Sequence, residues 1–409
     1  MAWAIHWPTL WDALTLQMGY NATLVTVGAA LLGFAAGVTG TFLFLRKRAL
    51  VSDAISHATL PGVGLAFLVM VALGGDGRNL PGLLAGSALS AWAGLLVVSF
   101  LTRRTRLSED AAIGAVLSVF FGFGIVLLTV IQTLGVGRQA GLEGFLLGST
   151  AGMLWADGVV IAAGGAASLA LVLVLRRHLT LVAFDPEYAA ARGLNVARLD
   201  LVMMGLVMAV TVVGLKIVGL ILIVALLIIP PVAARFWSDR ADHVVLMSGV
   251  IGGASAWIGA ALSATAPNLP TGPLIVLTAF AIFVASLLLA PGRGVLAAAL
   301  RHRRFQTRVH MRQGLLALAQ GQPIYERLTL RLLLRAGLVR PDGVPTETGR
   351  ARAAKALRDE HRWQILRGET AHEAAAALYD GLRDIETVLT RDQIAEIDRR
   401  IGAPRGVSG

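Results

Sequence analysis

The chain has 409 residues, of which 56% are hydrophobic and only 15% charged, and its mean hydropathy is +0.71. That composition excludes a water-soluble domain over most of the length, because runs of about 20 apolar residues match a hydrocarbon core about 30 Å thick. The absence of cysteine excludes disulfides, thiolate metal sites and thiol catalysis. The formal charge of +11 lies mostly beyond residue 292 and so describes the tail, not the apolar part.

Residues 1–20 lack the cationic segment of a cleaved signal peptide. Trp3, Trp7, Trp11 and Leu14 recur at helical spacing. This fits a short interfacial helix, since indole rings favour the headgroup region; an unstructured lead-in fits equally well. The segment 21–292 then predicts an all-α polytopic membrane domain with about nine transmembrane helices, near 22–45, 49–73, 81–101, 111–133, 158–175, 199–215, 217–234, 244–266 and 272–290. A further apolar stretch, 144–155, is too brief to cross and suits a surface or re-entrant helix.

Cations set the orientation. They cluster after alternate spans: Arg46, Lys47 and Arg48; Arg103, Arg104 and Arg106; Arg176, Arg177, Arg192 and Arg198; Arg235 and Arg240. The opposite side holds Arg78, Arg138 and Lys216. The N-terminus is therefore expected outside and the tail in the cytoplasm, with 199–234 split into a hairpin at Gly214-Leu-Lys216. Closely spaced glycines such as Gly28, Gly33, Gly37 and Gly40, and Gly249, Gly252 and Gly253, mark close helix packing.

Three places carry candidate chemistry. Asp53 and His57 stand four residues apart at the start of the second span, so they share a helix face. His57 lies about 12 Å into the helix at about 1.5 Å per residue. A carboxylate and an imidazole at such depth need a reason. One is a transition-metal site or proton relay, since both are ordinary ligands for zinc, manganese or iron; the other is a helix cap at Ser52-Asp53 with His57 in a local hydrogen bond. Pro61 removes a backbone donor from the carbonyl of His57, and with Gly62 it predicts a loosened helix beside the pair. Phe184-Asp185-Pro186-Glu187 is a firm helix start, with a cap, a first-turn proline and an acid at the positive end, and Gly193 stops that helix. A docking helix for a cytoplasmic partner and a simple connector both fit. Pro230 and Pro231 predict a break near a cytoplasmic end, either a gate or a plain terminus. His6, His178, His243, Asp76, Glu143 and Asp157 read as ordinary loop or interface residues.

In the tail, 293–312 carries Arg293, Arg301, Arg303, Arg304, Arg308 and Arg312 and no acid. This is a basic linker suited to anionic lipid headgroups. Residues 313–409 predict a small cytoplasmic α domain of winged-helix type: two short helices over 313–340, a strand and turn at Pro341-Asp342-Gly343, then amphipathic helices over 349–367 and 369–400.

The stretch Phe44–Gly62, with Asp53, His57 and Pro61, resembles the signature of the zinc/manganese/iron ABC importer permeases. Phe184-Asp185-Pro186-Glu187 with Gly193, and Val218–Pro230, resemble further parts of that family in order. The resemblance implies a permease subunit that pairs with a second permease subunit as a homo- or heterodimer. It also implies binding to cytoplasmic ABC ATPase subunits through the 185–193 helix and receipt of metal from an extracytoplasmic metal-binding protein. Asp53 and His57 would touch the transported manganese, zinc or iron, with no permanently bound cofactor. The expected location is the inner (plasma) membrane of a bacterium. The chain lacks a G-x-x-x-x-G-K-[ST] loop, so the ATPase would be a separate subunit. The tail is similar to diphtheria-toxin-repressor-type regulators through Leu338-Val339-Arg340, Thr348-Gly349-Arg350, His361, Trp363, His372 and Glu373. Ile365 stands where those regulators place an acid, and Tyr379 and Asp380 replace a Glu-His pair. Nucleic acid is not among the expected partners. Two other functions fit the same residues: an ion-coupled secondary metal transporter, and a membrane-tethered metal sensor.

Overall fold

A computed structural model describes residues 7–75, 77, 79–133, 153–266, 269–367 and 377–402. Trp3, His6, Asp76, Arg78, Arg138, Glu143, His372, Glu373 and nearly all of the 144–155 stretch lie outside them. The chain divides into two compact units, Met1–Ala297 and Ala298–Gly409.

The first unit is entirely helical among the described residues. Helix α1 (Trp7–Leu14) buries Ala13 and leaves Trp7 and Trp11 exposed; the Trp257 indole donates to the Leu14 carbonyl at 3.3 Å. Then follow α2 (Tyr20–Leu45), α3 (Ala49–Ala72), α4 (Leu80–Arg104), α5 (Glu109–Thr133), α6 (Trp155–Phe184), α7 (Pro186–Ala191), α8 (Val196–Arg235), α9 (Ala241–Ala264) and α10 (Thr271–Leu289). Local signals account for several ends. Asn79 Oδ1 accepts from Gly82 N at 3.1 Å to cap α4. Glu109 and Asp110 occupy the positive end of α5, and Arg103 and Arg104 the negative end of α4, as the helix dipole favours.

Eight helices among the described residues are long and apolar enough to cross a membrane, against the nine spans expected. The difference lies in α8. Gly219 adopts φ +79°, ψ +169°, breaking the helix, and the remaining arm, Ile221–Arg235, is a shorter apolar helix. The two arms double back: a Cβ on Gly214 would lie 2.7 Å from Cδ1 of Ile223, whereas nine residues of straight helix would span about 13 Å. The expected fold-back therefore forms, with its hinge at Gly219. Helix α6 runs on to Phe184, so Arg176 and Arg177 sit on helix, not in a loop. No glycine or proline interrupts 167–184, and Pro186 is the first residue that forces a stop.

Neither proline break forms. Helix α3 passes through Pro61, and α8 continues through Pro230 and Pro231 to Arg235. Packing holds both helices. Gly62 lies against the backbone of Gly86 on α4, with no room for a side chain on either residue. The carbonyl of Leu227, which Pro231 cannot serve, presses on Gly40 of α2. Membrane helices tolerate proline where neighbours occupy the freed groups.

Helix α2 packs on α6, α8 and α9, while α3 packs on α4, α5 and α8, so α8 joins two groups of helices. The α2–α9 crossing is the most extensive. Gly33 and Gly252 face each other backbone to backbone, and Ser248 Oγ donates to the Gly37 carbonyl at 2.7 Å in the buried seam. Small residues let backbones meet where lipid supplies no hydrophobic drive. Gly252→Leu should therefore lower the melting temperature of the purified chain, at or above the ~1–3 kcal/mol typical of overpacking. Gly114→Leu, whose Cβ would meet open space, should not.

The second unit begins within α11 (Val295–Ala319), followed by α12 (Arg327–Arg335), α13 (Glu347–Arg367), a 3₁₀ turn at Ile385–Thr387 and α14 (Arg391–Gly402). The stretch expected as a basic linker is thus mostly helix, because nothing from Val295 to Arg312 interrupts one. Residues 369–400 are not one helix: 377–390 hold turns and the 3₁₀ segment. Leu338–Thr346 forms a hairpin, with Thr346 N donating to Leu338 O at 3.0 Å and Arg340 N to Val344 O at 2.9 Å. Its pairing amounts to one bridge, Val339–Pro345, and no strand occurs among the described residues. Trp363, Leu366, Ile385, Leu389 and Ile397 form one small core, and Leu333, Leu338 and Val339 another.

Candidate functional site

Helix α3 is buried over most of its first half: Val51, Ser52, Ala54, Ile55, Ser56 and Ala58 are all inaccessible. Beyond the first turn, where Leu50 is exposed, Asp53 and His57 are the exceptions, with side chains 32% and 19% exposed. His57 Nε2 stands 3.3 Å from Asp53 Oδ1. The Phe121 ring of α5 meets the imidazole edge-on, with centroids 4.8 Å apart. His57 Nδ1 is buried with no hydrogen-bond partner among the described residues. The neighbouring hydroxyls turn back onto their own helix, Ser52 Oγ to Ala49 O and Ser56 Oγ to Ser52 O, and leave the pair alone.

Helix α3 is not capped at Ser52-Asp53. Its first turn starts after Arg48, with no side-chain cap bond, and the Asp53 carboxylate pairs with His57. The face of α3 that carries the half-buried Asp53 and His57 also carries the exposed Leu50, Leu65 and Val69, with buried Pro61 between His57 and Leu65. One turn beyond His57, Pro61 begins the wall of an apolar groove of about 700 Å³, shared with Leu65, Val69, Leu89, Val119 and Phe123. Among the described residues no group of three or more His, Cys, Asp or Glu side chains could hold a metal ion. Among the described residues, one copy of the chain brings one carboxylate and one imidazole to this point.

The 185–193 segment forms a separate feature. Asp185 Oδ1 accepts from Tyr188 N at 2.8 Å, Pro186 starts α7, and Gly193 ends it at φ +81°. Asn195 caps α8 by accepting from Arg198 N at 3.0 Å. Phe184 and Tyr188 are exposed, 57% and 48%, and Arg192 reaches the Tyr188 hydroxyl at 3.3 Å. The result is a short, firmly bounded helix that presents the Tyr188 ring, with the exposed Phe184 ring just before it at the end of α6.

An ion-pair network gathers the helix ends that flank these two features. Arg46 Nη2 donates to both carboxylate oxygens of Asp200, at 2.9 and 2.8 Å, and Nη1 to the Val182 carbonyl at 3.0 Å. Arg48 reaches Asp200 at 3.3 Å and Glu109 at 2.9 Å. Two of the cations that give orientation, Arg46 and Arg48, thus meet the ends of α2, α5, α6 and α8. A lone acid, Asp200, at the head of an apolar span was the available signal. Phe121 was likewise unmarked among the apolar residues of α5.

In the second unit, Glu360 is held by Tyr379 Oη at 2.7 Å and by Arg312 at 2.9 Å. Burial raises its pKa, but these hydrogen bonds together with the positive charges of Arg312 and Arg367 outweigh that and hold it below the ordinary carboxylate range. Asp380 caps the backbone of Leu382 and Arg383, and His361 is exposed.

Eight helices of crossing length and charged residues at their ends among the described residues define a polytopic membrane protein. Residues 20–290 match the ABC 3 transport family, and the chain belongs to that family as a membrane permease subunit. It is 40% identical over 310 residues to the manganese transport system membrane protein MntC of Bacillus subtilis, covering 76% of this chain and 70% of that one. It is 38% identical over 291 residues to the zinc transport system membrane protein TroC of Treponema pallidum, covering 71% and 96%. The solved structure of PsaBC from Streptococcus pneumoniae in complex with Fab contains a chain that superposes with a TM-score of 0.59 at 29% identity. That match covers 68% of this chain and 95% of that chain.

Proposed function

We propose that the chain is the permease of an ATP-driven importer moving a divalent transition metal, manganese, zinc or iron(II), into the cytoplasm of a bacterium. The observation that carries this is the placement of Asp53 and His57: an acid and an imidazole, half-buried, on the accessible face of a membrane helix next to an apolar groove. A carboxylate facing lipid is costly, so this face is suited to a polar path between subunits. A second permease copy would bring the same pair, giving two carboxylates and two imidazoles. Asp53 supplies charge to draw the cation in, and His57 a neutral nitrogen donor. The set stays small enough to release its cargo. The manganese and zinc named for the relatives support the cargo class.

In this scheme a cytoplasmic ATPase docks on 184–193, an extracytoplasmic metal-binding protein delivers the cargo, and the second unit lies in the cytoplasm. Pro61, Gly62 and Pro230 act as close-packing points beside the path. The second unit resembles repressor-type regulators in sequence, and in it Tyr379 and Arg312 hold Glu360. Deleting 301–409 should leave uptake within about two-fold of the full chain; loss of uptake would make the tail the seat of function. In proteoliposomes of the full complex, metal uptake should stop when ATP is withheld and survive a protonophore. The opposite pattern would identify an ion-coupled transporter.

A further inference from the structure

The Arg46–Asp200–Arg48–Glu109 network sits where the metal pair and the docking loop could communicate. The loop is bracketed by Val182, in the last turn of α6, and Asp200, in the first turns of α8. One guanidinium, that of Arg46, holds both brackets. Arg46 also ends α2, and Arg48 precedes the first residue of α3, so the turn 46–48 is the start of the helix that carries Asp53 and His57. Lys47 at φ +59° makes that turn tight, leaving little slack between the arginines and α3. Arg48 extends the grip to Glu109 at the head of α5, the helix whose Phe121 abuts His57.

We infer that Arg46 and Asp200 form a coupling joint, transmitting movement of the 184–195 loop to the α3–α5 pair that holds the cargo. Arg46 and Asp200 are positioning residues; neither touches the metal. The bond type fits the role. A bidentate guanidinium–carboxylate pair fixes direction as well as distance, and with both side chains 13% exposed solvent and salt screen it less than a surface pair. A cavity of about 140 Å³ beside Arg48, Glu109 and Asp200 leaves room for the joint to shift without unpacking α4. A rigid clamp would have no use for that space. Force arriving at the loop reaches α3 through the arginines without crossing the apolar core.

The proposal rests on the importer reading above, and its test separates the two. The full complex with its ATPase and binding protein is reconstituted in liposomes, and manganese or zinc taken up per ATP hydrolysed is measured. Wild type must transport in an ATP-dependent way; if it does not, the importer reading fails, whatever the joint does. Asp200→Asn keeps the shape and removes the charge, and Arg46→Lys keeps the charge and loses the bidentate grip. For Asp200→Asn, the metal-to-ATP ratio should fall at least five-fold, the lower end of ordinary coupling between sites, with hydrolysis and ATPase co-purification retained. Arg46→Lys should fall in between. An unchanged ratio, or uptake and hydrolysis falling together, would overturn the joint, as would failure of both variants to assemble with the ATPase, which would make the network structural.

Discussion

Replacing Asp53 by asparagine should reduce metal uptake by more than the 10–100-fold typical of losing an outer-shell partner of a metal site, while the complex assembles as before. The substitution is isosteric, so the packing of α3 against α4 and α5 is unchanged. What disappears is the acid on the accessible face of a membrane helix and the 3.3 Å partner of His57. His57→Gln should have a comparable effect, because an amide is a poor substitute for imidazole toward zinc, manganese or iron(II). The pair is small and half-open, so neither loss can be compensated from the same chain: no other described acid or histidine completes a group of three there. Radiolabelled metal uptake by reconstituted variants checks this, and normal uptake by both would remove the site.

The second large effect is expected at the docking loop. Phe184 and Tyr188 present exposed rings on either side of the Asp185 cap. Exposed aromatic anchors at an interface cost about 2 kcal/mol or more when truncated, roughly 30-fold in affinity. The double variant Phe184→Ala/Tyr188→Ala should therefore lose co-purification with the ATPase while inserting and folding normally. Asp185→Ala should reach a smaller loss by a different route, since removing the cap costs about 1 kcal/mol of helix stability. Retained co-purification in the double variant would place the ATPase contact elsewhere.

Much of this architecture was legible in the sequence because its causes are local. The spans follow from unbroken apolar runs. The cap at Asp185 and the stop at Gly193 follow from residue types with known backbone preferences, and the fold-back in α8 was signalled by Gly214-Leu-Lys216, although Gly219 is the residue that makes it. The failures also have a physical cause. Pro61 and Pro230 were expected to break helices, yet both helices continue because Gly62 and Gly40 bring neighbouring backbones against them, a tertiary effect invisible to a local rule. Arg46 and Arg48 were legible as orientation signals only. Their partner Asp200 is distant in the chain, and nothing in the spacing of the two segments joins them. The same holds for Phe121, which is one aromatic among several on α5 until the fold sets its edge against His57.

The most direct measurement is X-ray absorption of the complex loaded with zinc or manganese in the absence of ATP. A metal held by Asp53 and His57 should show a nitrogen/oxygen shell with imidazole scattering, and that scattering should vanish in His57→Gln while the metal-binding protein alone keeps its own spectrum. An imidazole signature that survives His57→Gln would contradict a metal path through this pair.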